Sequence, residues 1–334
     1  MKVSSNAVSA RLFALILMLY AVWAAAQNSS YNPLVVPIQF IAETLDLTVH
    51  DEARGRDIPI LIYLPAEKTP APVVLFSHGL GGSRQGSAYL GEHWAARGYV
   101  AVFVQHPGSD ESVLKDIHPA GRIVAMKNAA NLRNTLLRLK DVSAVLDQIE
   151  RWNKSSSNQL AGRLDMSRVG MSGHSFGAVT TQWVSGQRPC RGNLDFTDGR
   201  IKAAIMFSPS SPKGECDPRT AFGGVKIPWM VMTGTKDEAP IGGATVASRL
   251  AVFDSLPPGR KYEVVLYDAE HSAFTDRALP GDREPRNPNH HKVILALSTA
   301  FWDAYLRDDG GAKAWLDGAG PASLLEPKDQ WQKK

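Results

Sequence analysis

A five-residue segment at positions 173–177, with the sequence G-H-S-F-G, carries the residue types of a serine nucleophile. It follows a short apolar run at 169–171 and precedes a segment at 177–185 that can form a helix. A G-x-S-x-G sequence in this context predicts a tight, strained strand-to-helix turn, in which the two glycines let the strand and the helix approach closely. We therefore interpret Ser175 as the candidate nucleophile.

A serine hydroxyl is a weak nucleophile at neutral pH. It needs a base to accept its proton and a third group to hold that base in the correct tautomer. Where such a turn carries the nucleophile, the order along the chain is Ser, then Asp or Glu, then His. Asp237 directly follows a predicted strand that ends near residue 233, and His271 lies just past a predicted strand at 262–267. The order Ser175, Asp237, His271 predicts a catalytic triad.

Other histidines fit the role of the base less well than His271. His174 is the immediate neighbour of the nucleophile and is expected to point away from it. His118 precedes the nucleophile, which is the wrong chain order. Two more begin a predicted helix, His290 and His291.

Other carboxylates fit the role of the third group less well than Asp237 does. Asp268 and Glu270 lie on the same segment as His271, too close along the chain to reach around its ring, and are expected to form a solvated loop face. Two weaker alternatives remain, one in a cysteine-containing loop and one inside a predicted helix: Asp217 and Asp254.

Cleavage of an acyl group also develops negative charge on the carbonyl oxygen, and loss of one hydrogen-bond donor to that oxygen typically costs about 10²–10³ in rate. Phe176, the residue after the nucleophile, can supply one backbone N–H. A Gly-rich loop at 77–82 follows an early predicted strand and can supply the second, from Leu80. Such a loop could also be a simple turn or a phosphate cradle, but no P-loop lysine follows it. We therefore predict an oxyanion hole formed by Leu80 and Phe176.

Short apolar runs alternate with longer segments of helical spacing, which predicts an α/β fold with a mostly parallel central sheet flanked by helices. Strands are expected at 58–64, 73–76, 100–104, 169–171, 201–207, 227–232 and 262–267. Helices are expected at 87–97, 177–185, 245–256 and 291–306, with a loop at 279–288. From Leu132 to Trp152, apolar residues recur every three or four positions and predict a long crossover helix with one buried face.

Over nearly all of residues 27–334 the chain resembles the α/β-hydrolase superfamily. The segment F-S-H-G-L-G at 76–81, together with the segment at 173–177, looks like the corresponding motifs of the platelet-activating factor acetylhydrolase and bacterial dienelactone-hydrolase-like group. The resemblance implies a serine esterase that works without a metal or cofactor. It assigns Ser175 and His271 as the catalytic pair and Leu80 and Phe176 as the oxyanion donors.

Two features depart from that group. The acetylhydrolases carry their acid after the strand that here reads I-M-F-S-P at 205–209, where this chain has no carboxylate. The acid is therefore expected one strand later, at Asp237. Dienelactone hydrolases use a cysteine nucleophile, whereas this chain has Ser175 at that position. The resemblance thus predicts the chemistry better than the substrate.

We expect a serine carboxylic-ester hydrolase that acts through an acyl-enzyme on short-acyl or lipid-type esters. An alternative is a polyester or lipid depolymerase of the cutinase type, which resembles this group in having the same turn, a late histidine and a disulfide. A shallow cleft with exposed aromatic residues would favour the depolymerase, whereas a pocket walled by residues 108–123 would favour small soluble esters. A noncatalytic binding protein on a hydrolase scaffold would require that a triad residue be missing, and none is.

The first residues have the pattern of a secretory signal peptide at 1–26: a basic start, an apolar run at 12–23 and three alanines at 24–26. A membrane anchor would need about 20 apolar residues, and this run is shorter. Cleavage would remove two cations, Lys2 and Arg11, and no anion, so the formal charge falls from +4 to +2. That charge does not favour nucleic acid or an anionic membrane as a partner. We expect a secreted or periplasmic protein, not stably inserted in a membrane, with one catalytic domain at 27–334.

The chain has two cysteines, Cys190 and Cys216, in a stretch rich in Gly, Pro and Asp. In an oxidising compartment they are expected to form one disulfide. A reactive or metal-binding thiol would be accompanied by a CxxC pair or a nearby histidine cluster, and the sequence has neither.

Overall fold

A computed structural model describes residues 31–279 and 281–334 of the chain, so the predicted signal peptide at 1–26 lies outside the described residues. The described strands form one sheet in the order β1-β2-β4-β3-β5-β6-β7-β8-β9. Their bounds are Glu43–Asp51, Arg56–Leu64, Ala71–Ser77, Val100–Val104, Leu164–His174, Ile201–Phe207, Trp229–Lys236, Lys261–Glu270 and Gln330–Lys333, for β1 to β9 in turn.

The inner strands of this sheet run parallel. β3 pairs in parallel with β4 and with β5, and the parallel pairing continues from β5 through β6 and β7 to β8. β2 runs antiparallel to both β1 and β4, and β9 runs antiparallel to β8. This mostly parallel sheet flanked by helices confirms the predicted α/β-hydrolase fold.

The two edge strands, β1 and β9, are absent from the sequence prediction. In β1 only Val49 is fully buried, so the strand has no continuous apolar run. β9 has four residues and is defined by its backbone pairing with residues 262–265 of β8. The alternation of Leu45, Leu47 and Val49 with polar residues in β1 is typical of a half-buried strand, and the sequence prediction missed it, whereas β9 depends on its pairing with β8.

Helices cover both faces of the sheet in the described part of the chain. Their bounds are Ala88–Ala96, Arg122–Ala129, Leu132–Lys154, Phe176–Val184, Pro218–Phe222, Val246–Ser255, Pro288–Leu306 and Gly310–Asp317, for α1 to α8 in turn. Along β3, Val74 and Phe76 pack in a core with Trp94 of α1, whereas Val73 and Leu75 pack in a core with α3. This two-sided burial explains why the inner strands are almost continuously apolar.

The predicted crossover helix is α3. Leu139, Val142 and Ile149 are fully buried as predicted, but Leu132 in the first turn is 73% exposed. The buried face of α3 therefore begins later than the apolar spacing indicates. Arg138 and Asp141 are also buried on this helix, so its inner surface is partly polar.

The structure joins Cys190 and Cys216 in the predicted disulfide, with Cα atoms 5.8 Å apart. The bond links the segment that follows α4 to the segment that precedes α5. Across the described ranges, the helices are all too short or too polar to cross a lipid bilayer.

Candidate active site

Ser175 lies at the junction between β5 and α4. Its backbone has φ 55° and ψ −114°, a region that residues other than glycine rarely adopt, and this turns the chain sharply from strand to helix. The Ser175 amide donates to the carbonyl oxygen of Phe207 at 2.9 Å, which anchors the turn to the end of β6. The residue is partly exposed. A strained strand-to-helix turn is thus present at this position.

The structure brings the side chains of Ser175, His271 and Asp237 into one hydrogen-bonded line. Ser175 Oγ lies 2.9 Å from His271 Nε2, and His271 Nδ1 lies 2.7 Å from Asp237 Oδ1. Asp237 directly follows β7, and His271 begins a 3₁₀ turn directly after β8. With its proton on Nδ1, the imidazole donates to the carboxylate and leaves Nε2 free to accept the serine proton.

Asp237 is completely buried, where an isolated carboxylate would be costly. Burial by itself raises the pKa of Asp237, but the hydrogen bond from His271 and the positive charge of Arg249 outweigh this and lower the pKa to about 2. Thr233 Oγ1 donates to the other carboxylate oxygen at 2.9 Å. The carboxylate is therefore ionised at neutral pH and held at both oxygens.

The loop predicted to complete an oxyanion hole lies against the nucleophile. A Cβ atom placed on Gly79 would be 3.4 Å from Ser175 Cβ, so the loop approaches closely at a residue without a side chain. Phe176 is the first residue of α4, where an amide has no acceptor within the helix. Within residues 31–279 and 281–334, the Leu80 and Phe176 amides donate to no other group. Both amides are thus free to bind a ligand oxygen, and their catalytic role stays a prediction.

Arg138 of α3 connects this loop to the helix behind Ser175. Its fully buried guanidinium donates to the carbonyl oxygen of His78 and, at 3.0 Å, to Ser77 Oγ. It also donates to Thr180 Oγ1 at 3.0 Å, and its Cζ lies 4.6 Å from the centre of the Phe176 ring. One side chain therefore holds the end of β3 and the first turn of α4 together.

A second Ser-His-Asp arrangement lies behind the loop. Ser77 Oγ is 2.9 Å from His106 Nε2, and His106 Nδ1 is 3.0 Å from Asp141 Oδ2. All three residues are fully buried, and burial lowers the pKa of His106 to about 4, so its imidazole is neutral. Because no substrate reaches Ser77, we interpret this array as a support for the loop.

The other histidines make different contacts. His174 is buried beside His271, with ring centres 4.7 Å apart, and its Nε2 donates to the His271 carbonyl oxygen at 2.9 Å. Burial lowers the pKa of His174 to about 3. It therefore contacts the backbone of the candidate base rather than Ser175. Three further histidines bind backbone groups elsewhere: His118, His290 and His291.

Asp268 and Glu270 belong to β8, so they lie in a strand rather than in the expected loop, and both residues stay partly exposed. Asp268 pairs with Lys236 at 3.0 Å, and Glu270 accepts the amides of Arg283 and Glu284 at distances up to 3.1 Å. The alternatives to Asp237 lie elsewhere, one capping α5 and one exposed on α6: Asp217 and Asp254.

Three buried charged residues around the site are absent from the sequence prediction: Arg138, Asp141 and Arg249. Arg138 and Asp141 each directly precede a residue of the predicted apolar face of α3, Leu139 and Val142. A charged residue next to an apolar helix face gives little indication that it is itself buried, because long side chains at these positions usually reach solvent. The burial of these charges becomes evident only once the packed elements are known.

Residues 108–123 pack on the oxyanion loop together with α2. The Gly81 amide donates to the Ser109 carbonyl oxygen at 2.9 Å. A Cβ atom on Gly81 would lie 2.6 Å from Met126 Sδ, so α2 closes against this glycine. The segment therefore walls one side of the loop.

Comparison with known proteins gives two matches. A family model described as platelet-activating factor acetylhydrolase, isoform II, matches residues 62–118, which contain the loop with Leu80 but none of the three triad candidates. Cutinase est1 of Thermobifida alba is 26% identical over 148 residues, which cover 44% of this chain and 38% of the cutinase. The chain thus spans about two fifths of the length of that relative. Both matches and the fold support the α/β-hydrolase superfamily of esterases.

Proposed function

We propose that this chain, a member of the α/β-hydrolase superfamily, is a serine carboxylic-ester hydrolase acting on short-acyl or lipid-type esters. The observation that carries the proposal is the hydrogen-bonded line from Ser175 Oγ through His271 to Asp237. Ser175 lies at a strained turn beside two free amides, and acyl transfer requires both an accessible nucleophile and donors for the developing oxyanion. Since all three side chains are present, a noncatalytic binding protein is the weaker alternative.

In the proposed reaction, Ser175 Oγ attacks the ester carbonyl carbon while His271 Nε2 accepts the serine proton. The Leu80 and Phe176 amides donate to the carbonyl oxygen as it becomes negative. His271 then gives its proton to the departing alkoxide, which leaves as an alcohol, and Ser175 carries the acyl group. Water, deprotonated by His271, attacks the acyl carbon; the bond to Ser175 Oγ breaks, the acid is released, and His271 returns the proton to Ser175 Oγ. Ionised Asp237 stabilises the imidazolium in both steps.

We further propose that the protein is secreted or periplasmic. The disulfide between Cys190 and Cys216 supports this, because such bonds persist in oxidising compartments. The signal-peptide pattern at 1–26 supports it independently. In this proposal, residues 27–334 form a single catalytic domain.

A second candidate function is depolymerisation of polyesters or lipids, which the likeness to Cutinase est1 favours. A polymer needs an open cleft, whereas the packing of residues 108–123 and α2 on the oxyanion loop supports a walled site for a small ester. We therefore rank the small-ester hydrolase first.

The test is a chain-length series of p-nitrophenyl esters with purified protein, run beside Ser175→Ala. We expect highest kcat/KM on short acyl chains and less than roughly 1% residual turnover in the variant, since loss of a triad nucleophile costs many powers of ten. Turnover by Ser175→Ala at the wild-type level would contradict the proposal. Faster release of products from a polyester film than from any soluble ester would support the cutinase-type alternative instead.

A further inference from the structure

Arg249 of α6 contacts both the acid and the base of the proposed triad. The residue is 1% exposed. Its Nε lies 3.0 Å from Asp237 Oδ1 and donates to the Asp237 carbonyl oxygen at 2.6 Å. Its Nη2 lies 3.2 Å from His271 Nδ1. The guanidinium therefore touches the same two atoms that form the hydrogen bond between Asp237 and His271.

The same guanidinium connects the ends of two neighbouring strands. Its Nη1 donates to the carbonyl oxygens of Ser208 and Pro209, both at 2.8 Å, directly after β6. Asp237 directly follows β7. Because the guanidinium is planar and rigid, these bonds fix the end of β6 and the end of β7, which carries the Asp237 carboxylate, relative to one another.

Arg249 also brings positive charge to the imidazole. When His271 Nδ1–H donates to Asp237, Nη2 faces another donor, so protonation of the ring would place two positive groups in contact. The titratable groups around the guanidinium are Asp237 after β7, His271 after β8 and, further away, His174 at the end of β5. The guanidinium charge therefore favours an ionised Asp237.

We propose that Arg249 is a positioning residue for the hydrolysis: its donors hold the end of β7, and with it the Asp237 carboxylate, in line with His271. The inference rests on the proposed function, because it assigns Arg249 a part in the reaction of Ser175.

The test compares Arg249→Gln, which removes the charge, with Arg249→Lys, which keeps the charge but not the fork of donors. The matched control is Arg97→Gln, because Arg97 also holds a buried carboxylate, Asp303, at 2.8 Å but contacts no triad residue. We measure kcat, KM and kcat/KM between pH 4 and 9, with the melting temperature of each protein.

We expect Arg249→Gln to lower kcat by about tenfold or more with little change in KM, because Asp237 loses the donors that hold it in line with His271. Arg249→Lys should lower kcat as well, because a single ammonium group cannot replace the fork of donors. Arg97→Gln should lose stability and keep kcat. Wild-type kcat in either Arg249 variant overturns the proposal, even if the other variant fails to fold.

The NMR resonance of the His271 Nδ1 proton separates this inference from the proposed function, because its position reports the hydrogen bond to Asp237. The resonance is identified by its loss in His271→Asn. If the wild-type protein hydrolyses no ester, the proposed function fails, and this resonance still tests Arg249. A resonance that moves in both Arg249 variants but stays in place in Arg97→Gln supports the positioning role, and an unchanged resonance in all of these proteins rejects it.

Discussion

Gly177 packs on the end of β3 so closely that a Cβ atom on it would lie 1.8 Å from the carbonyl oxygen of Ser77. The neighbouring His78 carbonyl oxygen would be 2.9 Å from the same atom. Both contacts are with backbone, which cannot move aside as the end of a flexible side chain can. The turn at Ser175 and the oxyanion loop are thus in direct backbone contact through a residue that has to be glycine.

Gly177→Ala should therefore lower the free energy of unfolding by about 3 kcal/mol or more, because the methyl group has to displace backbone. Ester turnover should fall with it, as Ser175 moves away from the loop. Denaturant unfolding and p-nitrophenyl ester assays measure the two effects. Gly199→Ala is the control, because a Cβ atom there meets no atom within 4 Å. Equal stability of the two variants would contradict the packing argument.

Asp237→Asn should lower turnover by a factor of about 10²–10⁴, because the amide is a poor acceptor for the Nδ1–H tautomer of His271. KM should change little, since Asp237 is buried behind the base. Steady-state kinetics on one short p-nitrophenyl ester measures both parameters.

Asp217→Asn and Asp254→Asn are the controls for that substitution, since both residues lie outside the hydrogen-bonded line. Each should keep turnover close to wild type. If Asp237→Asn keeps wild-type turnover and one of the controls is strongly impaired, the triad acid is the control residue instead. That result would leave the prediction for Ser175 unchanged.

The double substitution Cys190→Ser, Cys216→Ser should lower the free energy of unfolding by about 2–4 kcal/mol, because the bond closes a loop across 26 positions of the chain. Turnover at low temperature should be retained, since neither cysteine contacts the triad. Thermal melting and ester assays at 10 °C test the two statements. Loss of turnover without loss of stability would show that this loop shapes the substrate site.

The raised pKa of Glu263 predicts that the folding stability of the protein depends on pH. Burial raises its pKa from 4.5 to about 7, although Gln332 donates to one carboxylate oxygen at 2.5 Å. The folded chain thus binds the proton more tightly than the unfolded chain does. The contribution of Glu263 to folding stability is therefore fully present below pH 4.5 and is lost as the pH rises through about 7.

Glu263→Gln, which stays neutral, should therefore gain stability relative to wild type between pH 5 and pH 8, by on the order of 2 kcal/mol. Urea unfolding at both pH values measures the difference. Glu67→Gln, on an exposed residue, should show no such trend. An equal difference between Glu263→Gln and wild type at both pH values would contradict the shifted pKa.

Sequence patterns predicted the parts of this molecule that depend on local chemistry. The inner strands were recognisable because burial on both faces requires continuous apolar residues. The line of Ser175, Asp237 and His271 was expected from residue order, since parallel strands bring their carboxyl ends to one edge of the sheet. The disulfide followed from there being two cysteines.

Features that depend on tertiary packing were not predictable in the same way. β9 has only four residues, and it became a strand by pairing with β8. Arg249 resembles any polar residue of a surface helix until the ends of β6 and β7 surround it. Leu132 continues the apolar spacing of α3 but is covered by no element of residues 31–279 and 281–334, so spacing alone overestimated the buried face.

In the part of the chain that the structure describes, two serine hydroxyls hydrogen-bond to a histidine held by an aspartate. Ser175 is partly exposed, whereas Ser77 is fully buried and also accepts a hydrogen bond from Arg138. A serine-directed phosphonate would therefore add a single group per folded chain, at Ser175. We therefore expect two hydroxyls with similar immediate partners to differ in reactivity, because burial closes one of them to a reagent.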